Sequence, residues 1–271
     1  MSGTRVTSGV RAIPFVKASA CGNDFLLIDG TLAPEDIARF TTRICDRHNG
    51  VGADGVEWMV PHFTADVEIR LINADGSPAE ISGNGTRCVA AYVFAERGKE
   101  RISVLTGAGM KICQFTGRRE SDYEFETEMG EASVERELSV KIRAEEVRGI
   151  PVSMGNPHYV MFVPGLAPDW QARSAEIQRS PQFPHGVNVE WVAVEGKHDI
   201  KVRFFERGAG ETRSSGTGSC ASAVAAIAIG RAQSPVRVHA PGGTQTVRVE
   251  GSKVFLRGPA RLVCQGEFFL G

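Results

Sequence analysis

The stretches ISGNGTRC (Ile81–Cys88) and SSGTGSC (Ser214–Cys220) share a serine, a glycine, one variable residue and a second glycine, and each runs into an Ala-rich apolar segment. Glycine lets the backbone approach a ligand because it has no Cβ. Free N–H groups at a helix N-terminus attract an anion. A single such loop is more simply explained as a turn with a capping serine. Two copies at matched positions favour a pair of anion-binding loops.

The two loops are 133 residues apart, at positions 82 and 215, and other segments repeat at the same offset. A repeat of this kind predicts two similar halves. Two facing halves would suit chemistry that needs equivalent groups on opposite faces of one atom. The matched segments are Gly22-Asn23-Asp24 with Gly155-Asn156-Pro157, Val56-Glu57-Trp58 with Val189-Glu190-Trp191, and Ile69-Arg70 with Val202-Arg203.

Short apolar or alternating segments bounded by Gly, Pro or Asn predict strands through most of the chain. The segments TRCVAAYVFAERG and SCASAVAAIAIGR instead predict helices, and because they are apolar on most faces we expect them to be buried. Each half is therefore predicted to be a curved sheet around one helix. We place the N-terminal half at 13–130 and the C-terminal half at 131–271, with the option that the last strand returns to the first half. The polar segment 116–137 is interpreted as the connection.

Composition and charge narrow the function classes. The net charge is −1 and no Lys/Arg run occurs, so neither nucleic acid nor an anionic membrane is expected as a partner. The six cysteines are scattered without metal-ligand spacing, and the start MSGTRVTSGVRAIPF has no apolar signal-peptide core. These features predict a soluble, cytoplasmic protein with reduced thiols that binds a small molecule.

Polar residues in turn-like settings recur in both halves. Asparagine both donates and accepts hydrogen bonds, so it can hold the ammonium and the carboxylate of an amino acid. Arginine can grip a carboxylate in bidentate fashion. Taken singly, each residue is equally explained as a turn asparagine, a surface ion pair or a structural histidine. The candidates are Asn23, Asn73, Asn84, Asn156, Asn188, Glu206, Arg207, Thr217 and His158.

These motifs together resemble one known family. The segments GNDF, RHNGVGADG, NADGSPAEISGNGTRC, MGNPH, GVNVE and ERGAGETRSSGTGSCASA occur in the order and near-spacing of diaminopimelate epimerases. The resemblance covers nearly the whole chain after about residue 13. It implies an α/β fold of two pseudo-symmetric domains, each a barrel-like, mostly antiparallel sheet around a central helix. It also implies a homodimer.

The resemblance further implies an epimerase that converts LL-diaminopimelate to the meso form without pyridoxal phosphate, metal or other cofactor, in lysine and peptidoglycan synthesis. In the family, two cysteines flank the α-carbon, and one removes a proton while the other returns one. By position, the substrate-binding candidates are Asn23, Asn73, Gly83, Asn84, Asn156, Asn188, Glu206, Arg207, Gly216 and Thr217, with His158 in a supporting role.

The two family cysteines fall on Ser82 and Ser215. A thiol has a reference pKa near roughly 8.5, whereas a serine hydroxyl needs a partner base to act near neutral pH. Three interpretations remain open. The serines were engineered into an ordinary epimerase; or they act natively with help from His158, Glu206 or Arg213; or the chain binds the ligand without turnover, or performs another isomerisation or a dehydration.

Overall fold

The computed structural model describes residues 11–143 and 145–270. The initial stretch expected to lack a signal peptide lies largely outside the described residues. A ring of strands in the first half surrounds the long helix α2 (Gly83–Arg97), and a shorter helix α1 (Ile37–Cys45) lies outside the ring. The strands are β1 (Ala12–Ala20), β2 (Asn23–Asp29), β3 (Gly55–Val60), β4 (Val67–Asn73), β5 (Pro78–Ala79), β6 (Arg101–Thr106), β7 (Gly109–Arg119) and β8 (Asp122–Glu131). A 3₁₀ turn covers Gly30–Leu32.

The second half repeats this plan around α4 (Gly216–Ala228), with α3 (Trp170–Gln178) outside. Its strands are β9 (Ser133–Val134), β10 (Leu138–Ile142), β11 (Glu145–Ser153), β12 (Pro157–Phe162), β13 (Asn188–Gly196), β14 (Asp199–Glu206), β15 (Gly210–Thr212), β16 (Val236–Ala240), β17 (Gly243–Glu250) and β18 (Lys253–Phe269). The predicted fold class is confirmed: most strand pairs are antiparallel, and each half encloses one helix.

The strand registers repeat with the sequence. Strands β2 and β3 pair in parallel with Phe25 opposite Gly55, and β12 and β13 pair in parallel with His158 opposite Asn188. Strand β4 places Leu71 opposite Ala79 of β5, just as β14 places Phe204 opposite Thr212 of β15. Residues 133 apart in the chain therefore occupy equivalent places in the two halves.

Strands β8 and β18 join the two halves. The ring of the first half runs through β1, β2, β3, β4, β6, β7 and β8, and closes where β18 pairs with both β8 and β1. The initial part of β18 also pairs with β17 of the second half. Because β18 pairs with strands of both halves, the structure offers no single position at which the chain divides into two domains. The boundary between residues 130 and 131 remains a prediction.

The interpretation of segment 116–137 as a mere connection is wrong, because most of it lies in strands: the end of β7, all of β8 and β9. The glutamates of β8 point outward and alternate with inward residues, among them the fully buried Phe125 and the buried Thr127. Alternation with a period of two is the strand signal. The dominance of Glu at the outward positions concealed it.

The two central helices are buried for the predicted reason. Alanine and valine fill their inner faces, so the helix can pack closely inside its curved sheet. Gly98 ends α2 in the left-handed conformation at φ 66°, which glycine adopts without a steric penalty. Both helices begin at the Ser-Gly-x-Gly loops, so the fold directs both loops toward the space between the halves.

Candidate active site

A cavity of about 960 Å³ opens between the two halves. It is lined by the ends of α2 and α4 and by turns that follow the strands around them. All of the predicted site residues except Asn188 and His158 line it. Those that do are Asn23, Asn73, Ser82, Gly83, Asn84, Asn156, Glu206, Arg207, Ser215, Gly216 and Thr217.

Ser82 and Ser215 are the N-cap residues of α2 and α4. The Ser82 Oγ accepts a hydrogen bond from Gly85 N at 3.1 Å, and the Ser215 Oγ accepts one from Gly218 N at 3.2 Å. The N–H groups of the first two helical residues precede the first bond within each helix. They are available to a carboxylate in the cavity, as the sequence predicts.

The two serines differ in their acid–base partners. The Ser215 hydroxyl donates to Glu206 Oε2 at 3.3 Å, and Glu206 also accepts from Thr212 Oγ1 at 2.5 Å. Burial raises the pKa of the Glu206 carboxyl, and these two hydrogen bonds oppose the rise. Among the residues that the structure describes, no side chain hydrogen-bonds to the Ser82 hydroxyl; the Thr86 hydroxyl donates only to the Ser82 carbonyl. Of the two serines, only Ser215 has a hydroxyl that is hydrogen-bonded to a potential general base.

Matched hydrogen bonds hold the cavity-lining turns to the helix loops. Asn84 Nδ2 donates to Asn23 Oδ1 at 2.5 Å, and in the second half Asn156 Nδ2 donates to Thr217 Oγ1 at 3.3 Å. Asn84 Nδ2 also donates to Ser214 Oγ at 3.2 Å. This last bond crosses from the loop of one half to the loop of the other, so it ties together the two sides of the cavity.

Asn188 and His158 lie behind the cavity wall. Asn188 Oδ1 accepts from Arg207 N at 2.9 Å, and its Nδ2 donates to Pro157 O at 3.1 Å. The Arg207 guanidinium donates to His185 O at 2.8 Å. Asn188 thereby holds the backbone of a cavity-lining residue, whereas direct substrate binding by Asn188 remains a prediction.

His158 is fully buried between two partners. Its Nδ1 lies 2.7 Å from Glu190 Oε1, and its Nε2 lies 3.0 Å from Asn156 Oδ1. Because an amide oxygen only accepts, Nε2 carries a proton in this arrangement. Burial raises the pKa of the Glu190 carboxyl, and His158 offsets part of this rise. The imidazole therefore orients Asn156, which faces the cavity.

Glu57 is the counterpart of Glu190 in the first half, but it has no histidine beside it. The equivalent of His158 is Phe25, and both carboxyl oxygens of Glu57 are buried without a partner among the described residues. Burial raises the pKa of Glu57 to about 8. The carboxyl lies directly against Gly85, where a Cβ would collide with it.

The cysteines of the central helices are structural in their placement. Cys88 and Cys220 are fully buried, and burial raises the pKa of Cys220 to about 12. Cys21 is also buried and has a positive φ of 49°, and burial raises the pKa of its thiol. It contacts Arg87 Nη2 at 3.9 Å but does not line the cavity.

Sequence reasoning did not single out three cavity-lining residues, Asp54, Arg87 and Ser214. Asp54 Oδ2 accepts from Asn23 Nδ2 at 3.1 Å, and its position within RHNGVGADG was a usable signal. Ser214 was visible only as the neighbour of Ser215. Arg87 lies on the buried part of helix α2, between Thr86 and Cys88, where a charged residue is itself unusual.

Two comparisons of sequence address the family. The family model described as "Diaminopimelate epimerase" matches residues 15–135 and 150–263. A diaminopimelate epimerase of Pelotomaculum thermopropionicum is 40% identical over 275 residues, which cover 94% of this chain and 98% of the relative. One from Desulfitobacterium hafniense is 35% identical, with 93% and 96% covered.

The chain belongs to the diaminopimelate epimerase family. The resemblance proposed from the motifs is thereby confirmed.

Solved structures show the same fold beyond this family. A Bacillus anthracis phenazine biosynthesis protein of the PhzF family has a TM-score of 0.72 at 16% identity, with 96% of this chain and all of that chain covered. A hydroxyproline epimerase from Agrobacterium vitis has a TM-score of 0.69 at 18% identity, with 97% and 93% covered. At this level of identity the likeness concerns architecture alone.

The described residues lack two features, a membrane-spanning helix and a cluster of metal ligands. No helix there combines the length and apolar character needed to cross a bilayer. Within the same residues, His, Cys, Asp and Glu side chains do not gather in threes as a metal site would require.

Proposed function

We propose that this chain is a cofactor-independent epimerase that inverts the α-carbon of diaminopimelate, the reaction named for its family. The observation that carries the proposal is the placement of Ser82 and Ser215 at the mouths of two equivalent helices lining one cavity. This arrangement can hold one α-carbon between two hydroxyls. A cytoplasmic homodimer working in lysine biosynthesis belongs to the same proposal, on the strength of the relatives' names and the family resemblance.

In the proposed reaction, the helix N-termini hold the reacting carboxylate. The α-C–H bond breaks as its proton moves to Ser215 Oγ, while the Ser215 hydroxyl proton moves to Glu206. The electron pair stays on the α-carbon and spreads into the carboxylate, where the N–H groups stabilise it. Ser82 donates its proton to the opposite face and is reprotonated by solvent, while Glu206 releases the proton it accepted to solvent. The reverse sequence converts the product back.

The remote amino-acid end is assigned to the amides and the arginine. Asn23, Asn73, Asn156 and Arg207 line the cavity, where both an ammonium and a carboxylate find partners. Holding the substrate at both ends fixes the α-carbon relative to the serines, which lowers the entropic cost of proton transfer.

A second candidate function follows from the missing partner of Ser82. A serine hydroxyl without a base is a poor proton acceptor, so the chain would bind diaminopimelate or another amino acid without inverting it. An isomerase or dehydratase that needs a base on one face only fits the same geometry, because Ser215 and Glu206 supply one.

The test is α-hydrogen exchange followed by NMR, with LL- and meso-diaminopimelate in D₂O. We compare the native chain with a Ser82→Cys/Ser215→Cys variant, and use Ser121→Cys as a control because its new thiol would be exposed. Exchange with inversion by the native chain supports the epimerase. Inversion by the double-cysteine variant alone identifies a diaminopimelate site with impaired chemistry. Absence of exchange from both variants would refute the assignment of substrate.

A further inference from the structure

Arg87 carries a buried positive charge that no carboxylate of the described residues neutralises. Its side chain is 1% exposed, although arginine is almost never fully buried without a charged partner. Its Nη2 donates to Asn84 Oδ1 and lies 3.9 Å from Cys21 Sγ, while Nε has no acceptor. Within residues 11–143 and 145–270, no carboxylate forms an ion pair with it. A buried cation without a counter-charge is unfavourable, and a bound anion would offset this cost.

The Arg87 guanidinium is enclosed on one side by β18, and the residue borders the cavity between the halves. Gly258 of β18 lies so close that a Cβ there would be 3.2 Å from both Cζ and Nε of Arg87. This strand leaves no room for a partner side chain from behind. Arg87 does line the space between the halves, so the accessible place for a counter-charge is the cavity.

Arg87 also supports one of the two helix loops. It holds the side chain of Asn84, whose backbone N–H is one of the free groups at the start of α2. The N–H groups and the guanidinium therefore act on the same region of the cavity. The counterpart of Arg87 in α4 is Cys220, which is uncharged and fully buried. Of these two equivalent positions, only the one in the first half carries a positive charge.

The buried acid of the first half does not neutralise this charge. Glu57 lies against Gly85 on the other part of the loop and makes no hydrogen bond to Arg87. Its pKa of about 8 leaves it mostly protonated at neutral pH. Glu57 therefore does not neutralise the positive charge of Arg87.

We propose that Arg87 makes the carboxylate site asymmetric: the reacting carboxylate is held at the α2 loop, and Arg87 balances its charge and the charge it gains as the α-proton leaves. The proposal rests on the proposed function, because it concerns the same cavity. It assigns to Arg87 a role in binding the ligand that is separate from its packing against β18. Hydrogen bonds to charged groups contribute enough that their loss weakens binding about 10- to 100-fold.

The experiment compares Arg87→Gln, Arg87→Lys and Arg97→Gln by calorimetric titration with meso-diaminopimelate and by α-hydrogen exchange. Arg97 lies on the same helix but is exposed, so its variant controls for loss of a positive charge. We expect affinity to fall about 10- to 100-fold in Arg87→Gln, to recover in part in Arg87→Lys, and to stay unchanged in Arg97→Gln. Millimolar guanidinium should partly restore Arg87→Gln.

Thermal unfolding separates binding from structure. If Arg87→Gln lowers the Tm but keeps the native affinity, Arg87 is only structural and the proposal is refuted. If Arg87→Gln does not fold, Arg87→Lys decides, because the proposal requires weaker binding than in the native chain. The native chain is also titrated with 1,5-diaminopentane, which keeps both amines and lacks both carboxylates. Binding as tight as that of diaminopimelate would overturn the proposal.

Failure of the proposed function gives a different result. A native chain that neither binds nor exchanges diaminopimelate would refute the epimerase assignment. Acetate then serves as the probe of the Arg87 site. Stabilisation by acetate that is present in the native chain and lost in Arg87→Gln would support the carboxylate site, and equal responses of the two proteins would refute it.

Discussion

The two halves of the molecule share a backbone plan but not a chemistry. Positions 133 apart have the same strand register, and both halves start a buried helix at a serine-capped loop. Around that common plan the first half places Phe25, Asn73 and Arg87 where the second places His158, Glu206 and Cys220. At these positions the first half thus carries an arginine and an asparagine, whereas the second carries a histidine and a glutamate, which can exchange protons.

This difference shows which features the two copies of a duplicated fold keep in common. Packing constrains the small residues of the central helices and the second glycine of each loop, because a larger side chain would collide with its surroundings. Residues that face the cavity are free of that constraint and can diverge. The chemistry of one half therefore cannot be inferred from the other, although its geometry can.

The largest expected effect comes from removing the base of the second half. Glu206→Gln leaves Ser215 without a proton acceptor, and we expect α-hydrogen exchange to fall about 100- to 10,000-fold. NMR in D₂O measures this rate at saturating substrate. Glu211→Gln, on the same hairpin but exposed, is the control. Undiminished exchange in Glu206→Gln would show that the halves do not differ in this way.

A pH-dependent effect on stability follows from the burial of Glu57 without a hydrogen-bond partner. The folded pKa of Glu57 is raised above its unfolded value of about 4.5, so the folded state binds the extra proton and stability falls as pH rises from about 4.5 to 8. Glu57→Gln removes this dependence. We expect it to be ~3 kcal/mol more stable than the native chain at pH 7 and nearly equal at pH 4.5.

Urea unfolding at several pH values measures the difference for Glu57→Gln. Glu96→Gln, an exposed substitution on α2, should leave the native pH dependence in place. A parallel shift of stability at all pH values would mean that Glu57 does not titrate as its burial requires.

The second glycine of each Ser-Gly-x-Gly loop, Gly85 or Gly218, tests the packing common to both halves. A Cβ on Gly85 would collide with the Glu57 carboxyl, and one on Gly218 would lie 2.9 Å from both Glu190 Oε1 and Phe204 Cδ1. We expect each Gly→Ala variant to lose about 1–3 kcal/mol of stability through overpacking. Gly83→Ala is the matched control, because a Cβ there meets nothing within 4 Å.

Chemical denaturation of the three glycine variants gives the comparison. Equal stabilities for Gly83→Ala and Gly85→Ala would contradict the tight contact between α2 and β3.

The smallest expected effect concerns the hydrogen bond that crosses between the loops. Ser214→Ala removes the acceptor of Asn84 Nδ2, and we expect a loss of about 0.5–1.5 kcal/mol. A double-mutant cycle with Asn84→Ala isolates the pair. A coupling energy near zero would mean that the two loops are held in place independently of each other.

Much of the site was predictable because the signal was local. The asparagine turns and the Ser-Gly-x-Gly loops are short segments whose residue types already suggest a ligand, and most of them line the cavity. Asn188 and His158 were not separable from them in sequence, because their burial behind the wall depends on how β12 and β13 pair. The strand β8 was missed because glutamates hide its alternation.

The amino-acid sequence by itself determined the duplication, the two buried helices with their serine caps, and the family, because each of these is written in residue order and spacing. The tertiary structure alone decided which polar groups lack partners. The isolation of Arg87 and Glu57 and the contact between Ser215 and Glu206 arise where segments distant in sequence meet. Burial and distance, which set charge and pKa, exist only once the chain is folded.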